Sequence, residues 1–294
     1  MLLIKKLQNE YSFILVIVME NRRLFLKDFL AGAGAFALES CSFPSFFMKK
    51  REKPLFSFIF CNDLHISTPD QAAYFGESVS NWKKLSLDFD FVVLCGDLVN
   101  YGSREELLLV KEQLRHIGKP WYVVAGNHDC VEGTDISSSP FQRVFPAWRP
   151  NYLFHNKGIM MIVLDLTNET NATVRVPDAT ITWLSRVAPR IKPDDRLIVF
   201  SHFSLHPDVP RFPVSNTSPI FDILDTKQVM AFFSGHYHAR WHGFRNGADY
   251  YCNTCLSLAT GNHDGSSEEG WLWVKVYENR VETEFVEKGN TPRE

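Results

Sequence analysis

Phe89-Asp90-Phe91-Val92-Val93-Leu94-Cys95-Gly96-Asp97-Leu98-Val99-Asn100 is the stretch whose reading decides the fold. A short apolar run rich in β-branched and aromatic side chains, cut off by Gly96-Asp97, predicts a strand over 89–95. The same event recurs along the chain. Phe56–Cys61 is followed by Asp63 and His65, Trp121–Ala125 by Asn127 and His128, Leu197–Phe200 by His202, and Met230–Phe233 by His236 and His238; Ile159–Leu164 is a further apolar run. Helical spacing lies between them at Gln71–Leu87, Ser103–Ile117 and Asp178–Val187. Ser103 with Glu106 three residues on has the form of a capping box. Trp271–Val286 alternates as a terminal hairpin does. Strands alternating with helices predict an α/β fold, in which the carboxyl ends of the strands form one rim where ligands gather. The Asp, His and Asn residues after five of the six strands should therefore converge.

Composition bounds what such a rim can serve. The chain has 294 residues, 45% hydrophobic and 22% charged, with a formal net charge of -3. That balance supplies no cationic surface for a polyanion, which disfavours polymeric nucleic acid as partner. Six cysteines are too few and too scattered for a disulfide scaffold, and Cys61 and Cys95 sit inside apolar runs, as buried thiols do. Cys252 and Cys255 have C-x-x-C spacing without a second such pair, which leaves structural thiols, a disulfide and metal binding open.

Imidazole suits zinc, iron and nickel, whereas carboxylate suits magnesium and manganese. Histidines, carboxylates and one amide can hold two divalent ions if one carboxylate bridges, and Asp97, beside Gly96, is the natural bridge. Asp63-Leu64-His65, Gly96-Asp97-Leu98-Val99-Asn100, Gly126-Asn127-His128-Asp129, Ser201-His202 and Gly235-His236-Tyr237-His238 together resemble the five blocks of the calcineurin-like metallophosphoesterases, in that family's order, over residues 56–240. The resemblance implies a four-layer sandwich of two mixed β-sheets flanked by helices, with the metals at the strand carboxyl ends. It gives one ion to Asp63, His65, Asp97 and His238, and the other to Asp97, Asn127, His202 and His236.

Two cations about 3.5–4 Å apart clamp a phosphoryl group and acidify a bridging water, whose hydroxide is the implied nucleophile. The ions implied are manganese, iron or zinc. His128, which binds no metal in the family pattern, would sit over the scissile ester and protonate the departing alkoxide, with Asp129 orienting it. Asn127 and His128 would also touch substrate, and Arg211, in the proline-rich stretch 203–221, could receive a substrate anion.

Asn100 stands where purple acid phosphatases carry a tyrosine ligand, and with Asp63-Leu64-His65 it resembles the cyclic-nucleotide phosphodiesterase branch instead. The expected substrates are phosphorylated small molecules or lipids, diesters slightly before monoesters. A second Gly261-Asn262-His263-Asp264 falls outside the family's order and reads as a loop. A non-catalytic scaffold of the same fold would have lost ligands, and this sequence keeps them all.

Asn21-Arg22-Arg23-Leu24-Phe25-Leu26-Lys27, followed by the weakly apolar 29–38, resembles a twin-arginine export signal, far short of the ~18 apolar residues of a spanning helix. The expectation is an export signal over 1–41 with Met19 as true start, a linker over 42–54, and a catalytic domain over 55–290. Arg22 and Arg23 would engage the twin-arginine machinery and place the protein in the periplasm or cell envelope. Ala35-Phe36-Ala37 fits a cleavage site, and Leu38-Glu39-Ser40-Cys41 a lipid anchor at Cys41; both maturations stay open.

Overall fold

The structure, a computed structural model, describes residues 52–84 and 88–290. Met19, Arg22, Arg23 and Cys41, with the expectations attached to them, lie outside the described residues.

Alternation builds the layers. Strand β1 (Phe56–Cys61) points Phe56, Phe58 and Phe60 to one side and Ile59 and Cys61 to the other, because successive strand side chains face opposite ways. The first set meets Phe200 and Phe233 across a shared interior, with Phe58 centroids 5.8 and 5.7 Å from those two rings. The second set lies under two helices. Helix α1 (Pro69–Lys84) opens with proline and Asp70, closes on Lys83 and Lys84, and buries Ala72, Phe75, Val79 and Trp82 at helical spacing. Helix α2 (Arg104–Leu114) begins at the N-cap Ser103, whose hydroxyl accepts from the Glu106 N–H while Glu106 accepts from the Ser103 N–H. It adds Leu107, Val110 and Leu114 to the same layer. Fully burying each such side chain contributes about 1.5–3 kcal/mol.

Strands β2 (Phe91–Cys95) and β3 (Trp121–Val124) continue parallel from β1. After them come the short helix α3 (Pro140–Val144), strand β4 (Tyr152–Asn156), strand β5 (Ile159–Val163), helix α4 (Asp178–Val187) and strand β6 (Arg196–Phe200). Helix α5 (Ser218–Leu224) leads into β7 (Gln228–Ser234), β8 (Trp241–Arg245), β9 (Ala248–Cys252), β10 (Gly270–Val276) and β11 (Val281–Glu287). One sheet has the order β11-β10-β1-β2-β3, the other β4-β5-β6-β7-β9-β8. Both are mixed: β10 runs antiparallel to β1 and β11, β4 to β5, and β8 to β9. Leu184, Val187, Ile220, Phe221 and Leu224 of α4 and α5 cover the outer face of the second sheet. Helix, sheet, sheet, helix is the expected four-layer sandwich, and the hairpin at the end is β10–β11.

All six expected strands form, with bounds shifted by up to two residues, and α4 spans the expected range. The strands β4, β8 and β9 and the helices α3 and α5 were not expected. Cys252 and Cys255 are free, buried thiols.

Candidate active site

Seven side chains meet where β1, β2, β3, β6 and β7 end, and none of the seven is more than 7% exposed. The loop after β1 lies along the loop after β2: the N–H groups of Asp63 and His65 donate to the Gly96 and Asp97 carbonyls, each at 3.0 Å. Reaching that geometry needs turns. Asp63 (φ 54°), His65 (48°), Asp97 (50°), His236 (60°) and His238 (46°) occupy the left-handed region, half of the ten described non-glycine residues that do. Each costs about 1–2 kcal/mol and is held there by the surrounding fold, a concentration of strain that marks functional sites.

Glycine supplies room that no other residue would. A Cβ at Gly126 would stand 2.2 Å from Asp97 Oδ1 and 2.4 Å from the Asp97 backbone nitrogen. One at Gly96, itself at φ 81°, would stand 2.3 Å from His202 Nδ1.

Two donor groups result, sharing Asp97: Asp63, His65, Asp97 and His238 on one side, and Asp97, His202 and His236 on the other, the donor atoms of each group within 4.8 Å of one another. Asp97 Oδ2 lies 3.8 Å from His65 Nε2 and 3.3 Å from His202 Nε2, so one oxygen faces both groups. His238 Nε2 lies 3.0 Å from Asp63 Oδ1 and 3.3 Å from His65 Nε2.

Each histidine is fixed from outside. His65 Nδ1 faces Asn100 Oδ1 at 3.0 Å, His202 Nδ1 the Cys95 carbonyl at 3.0 Å, His236 Nε2 the Ala172 carbonyl at 2.9 Å, and His238 Nδ1 the Gly261 carbonyl at 3.2 Å. A ring nitrogen that donates to an oxygen leaves its fellow, here turned into the cluster, as the one that can offer a lone pair to a cation.

The donor set fits divalent cations on two observations. His202 Nε2 and Asn127 Oδ1 are buried with no hydrogen-bond partner, which a divalent cation would satisfy. Asp63 and Asp97 are buried carboxylates whose ion partners among the described residues are histidines alone, and buried anions require cations.

The electrostatics agree. Burial would raise both carboxyls, but His238 and then His202 hold Asp63 down to about 2, and His202, with His65, holds Asp97 lower still. His236 is pushed down to about 4 by burial and by the charge of His202, which leaves it a neutral donor at neutral pH.

His128 stands beside the donors rather than among them. Its N–H donates to Asp97 Oδ1 at 2.9 Å, its ring lies 4.8 Å from that of His65, and its Nδ1 faces the Asn100 carbonyl at 2.9 Å. Its Nε2 is left without a protein partner among the described residues. Asp129 does not orient it. The Asp129 carboxylate accepts from the backbone N–H groups of Leu98 and Val99 on one oxygen and of Gly126 on the other, clasping the two loops together. The reason is local: residues 127–129 form a 3₁₀ turn, and neighbours in such a turn point about a third of a circle apart.

Arg211 lies outside the cluster, exposed, with its guanidinium 5.7 Å from the ring of Phe212, which in turn lies 4.8 Å from His236. Sequence reasoning missed Phe212 and the role of Asn100 as a partner of His65. It also read 261–264 as a loop, and a loop it is, but one that touches the site: His263 stacks on His238 at 4.6 Å and 15°, and donates its N–H to the His238 carbonyl. The carbonyls of Cys95, Ala172 and Gly261 had no signal to find, since every residue carries one.

Residues 56–240 match the family profile described as calcineurin-like phosphoesterase. A probable glycerophosphodiester phosphodiesterase of Arcobacter nitrofigilis is 25% identical over 156 residues, 51% of this chain and 56% of that protein, so the match spans little more than half of that relative. A zebrafish (Danio rerio) protein, serine/threonine-protein phosphatase CPPED1, is 27% identical over 226 residues, 70% of this chain and 71% of that protein. Among solved structures, a purple acid phosphatase from yellow lupin (Lupinus luteus) seeds superposes with a TM-score of 0.57 at 11% identity, covering 80% of this chain and 52% of that one, a likeness of fold.

Proposed function

Because this chain belongs to the calcineurin-like phosphoesterase family, we propose that it hydrolyses phosphate esters at a paired metal site, phosphodiesters before monoesters. The observation that carries this reading is the single Asp97 oxygen facing both donor groups, which is what a bridging carboxylate requires. Asp63, His65, Asp97 and His238 would hold one divalent ion and Asp97, Asn127, His202 and His236 the other, with manganese, iron and zinc the ions that suit this mixture. When bound, such ions supply positive charge to phosphoryl oxygens and lower the pKa of coordinated water from 15.7 to about 7.

The chain's own residues do the rest. His128 donates Nδ1–H to the Asn100 carbonyl, and this fixes the ring so that Nε2 faces outward; as the imidazolium, with a second proton on Nε2, the ring can pass that proton to a departing alkoxide and keep the one on Nδ1. Asp129, by tying Gly126 to Leu98 and Val99, holds the loop that carries His128 against Asp97. Burial of the donors excludes water from the charged groups and so strengthens their field at the ester.

The diester preference is supported by the name of the Arcobacter relative; the monoester reading is favoured by that of the zebrafish one. The test is hydrolysis of bis(4-nitrophenyl) phosphate against 4-nitrophenyl phosphate by the full-length protein loaded in turn with manganese, iron and zinc. Faster diester turnover is expected. A monoester preference selects the second reading, and no turnover with any metal removes both.

A further inference from the structure

Next to the metal cluster the chain builds a wall that hydrolysis by itself does not call for. Phe212 is held in left-handed backbone at φ 58°, a conformation unusual for a bulky side chain. The turn lays its ring 4.8 Å from His236 and 5.5 Å from His263, and His263 stacks on His238. The preceding residue, Arg211, holds its guanidinium 5.7 Å from the centre of that ring.

The ring of Phe212 thus links Arg211 to both His236 and His263. No carboxylate among the described residues pairs with Arg211. Asp264, next to His263 in the chain, accepts from the Ser266 N–H and hydroxyl.

A guanidinium with no carboxylate partner, on a ring that itself lies 4.8 Å from His236, is available to an anion that comes with the substrate. Its planar fork matches the paired oxygens of a carboxylate or phosphate. We infer that Arg211, one ring beyond His236, is a specificity subsite for a second anionic group on the substrate, so that the preferred esters carry a carboxylate or phosphate one aromatic ring beyond the scissile phosphorus. This rests on the phosphoesterase reading. Phe212 is the spacer: it keeps the guanidinium off His236 and gives the connecting part of the substrate an apolar face.

The experiment compares three diesters that release the same 4-nitrophenolate: the ethyl, 2-carboxyethyl and 2-phosphonoethyl 4-nitrophenyl phosphates. With full-length manganese-loaded protein, kcat/KM for the anionic esters should exceed that of the ethyl ester by about tenfold, mainly through KM. Which anionic ester leads says whether a carboxylate or a phosphate is the natural group. R211Q should bring the ratio close to one, and R211K should keep part of it as a point charge. Equal kcat/KM for all three in the wild type, or a full preference surviving in R211Q, overturns the subsite. Calorimetric binding of the same esters to metal-stripped protein reads the subsite apart from turnover. About tenfold tighter binding of an anionic ester, lost in R211Q, supports it even where nothing is hydrolysed and the phosphoesterase reading has failed; equal affinities sink it.

Discussion

Asn100 Oδ1 accepts the Nδ1–H of His65 at 3.0 Å, while the carbonyl of the same residue accepts the Nδ1–H of His128 at 2.9 Å. One residue therefore fixes both His65, a proposed metal ligand, and His128, the proposed proton donor. Its side chain holds His65 and its backbone holds His128, so a side-chain substitution separates the two tasks. N100A should weaken metal binding at the Asp63, His65, Asp97 and His238 group by about 10–100-fold. His128 should keep its partner, so turnover at saturating metal should fall far less than metal affinity. Metal titration of N100A beside its kinetics decides this; unchanged affinity would mean that the contact orients nothing.

Asp129 predicts a different pattern. Its three acceptor contacts are to backbone N–H groups, and in D129N the amide can still accept from Leu98 and Val99 but turns an N–H toward that of Gly126. Leaving that buried donor unpaired costs about 1–3 kcal/mol, and each kcal/mol lowers the melting temperature by about 2–4 °C in a protein of this size. The response of kcat to leaving-group pKa, which reports proton donation by His128, should stay that of the wild type. Unchanged melting with a steeper leaving-group dependence would restore an orienting role.

These two residues also show where sequence is legible. The strands could be read because Phe58 and Ile59 face different layers yet are both apolar, which makes an unmistakable run, and because the ligands stand directly after such runs. The strands β4 and β8 alternate between half-buried and exposed positions and include His155, His242 and Gly243, so no apolar run marks them. At the site, donors are visible as residue types, whereas the carbonyls that aim them are not. Asp129 follows His128 in sequence, but chain adjacency says nothing about where two side chains point, and the 3₁₀ turn sends them apart. His263 is the converse: it stands 25 residues after His238 in the chain and stacks on it in space.

Export is argued from the sequence alone. If Arg22 and Arg23 engage the twin-arginine machinery, R22K/R23K should hold the protein in the cytoplasm of its bacterial host, while the wild type is recovered from the periplasm or envelope. C41S separates the two maturations: a shift from membrane to soluble fraction indicates lipidation at Cys41, and an unchanged distribution indicates cleavage upstream. Equal export of the arginine variant would remove the signal reading.

Metal loading should release protons, and the number follows from the electrostatics of the cluster. Burial alone would lower both His202 and His238, but the charge of Asp97 raises His202 to about 9, and the charge and hydrogen bond of Asp63 raise His238 to about 11. Without a cation both rings are protonated at neutral pH, whereas His65 and His236 are shifted downward, and Asp63 and Asp97 are already ionised. A metal accepts only the lone pair, so filling both groups must expel about two protons per chain near pH 7. The sign follows: lowering the pH adds a competitor, and apparent affinity should rise as pH increases from about 6 to 8. Calorimetric titration of manganese in two buffers of different ionisation enthalpy counts those protons directly. A release close to two is expected. A binding heat that does not depend on the buffer would mean that His202 and His238 are not both donors, and the division of the seven ligands between two ions would have to be redrawn.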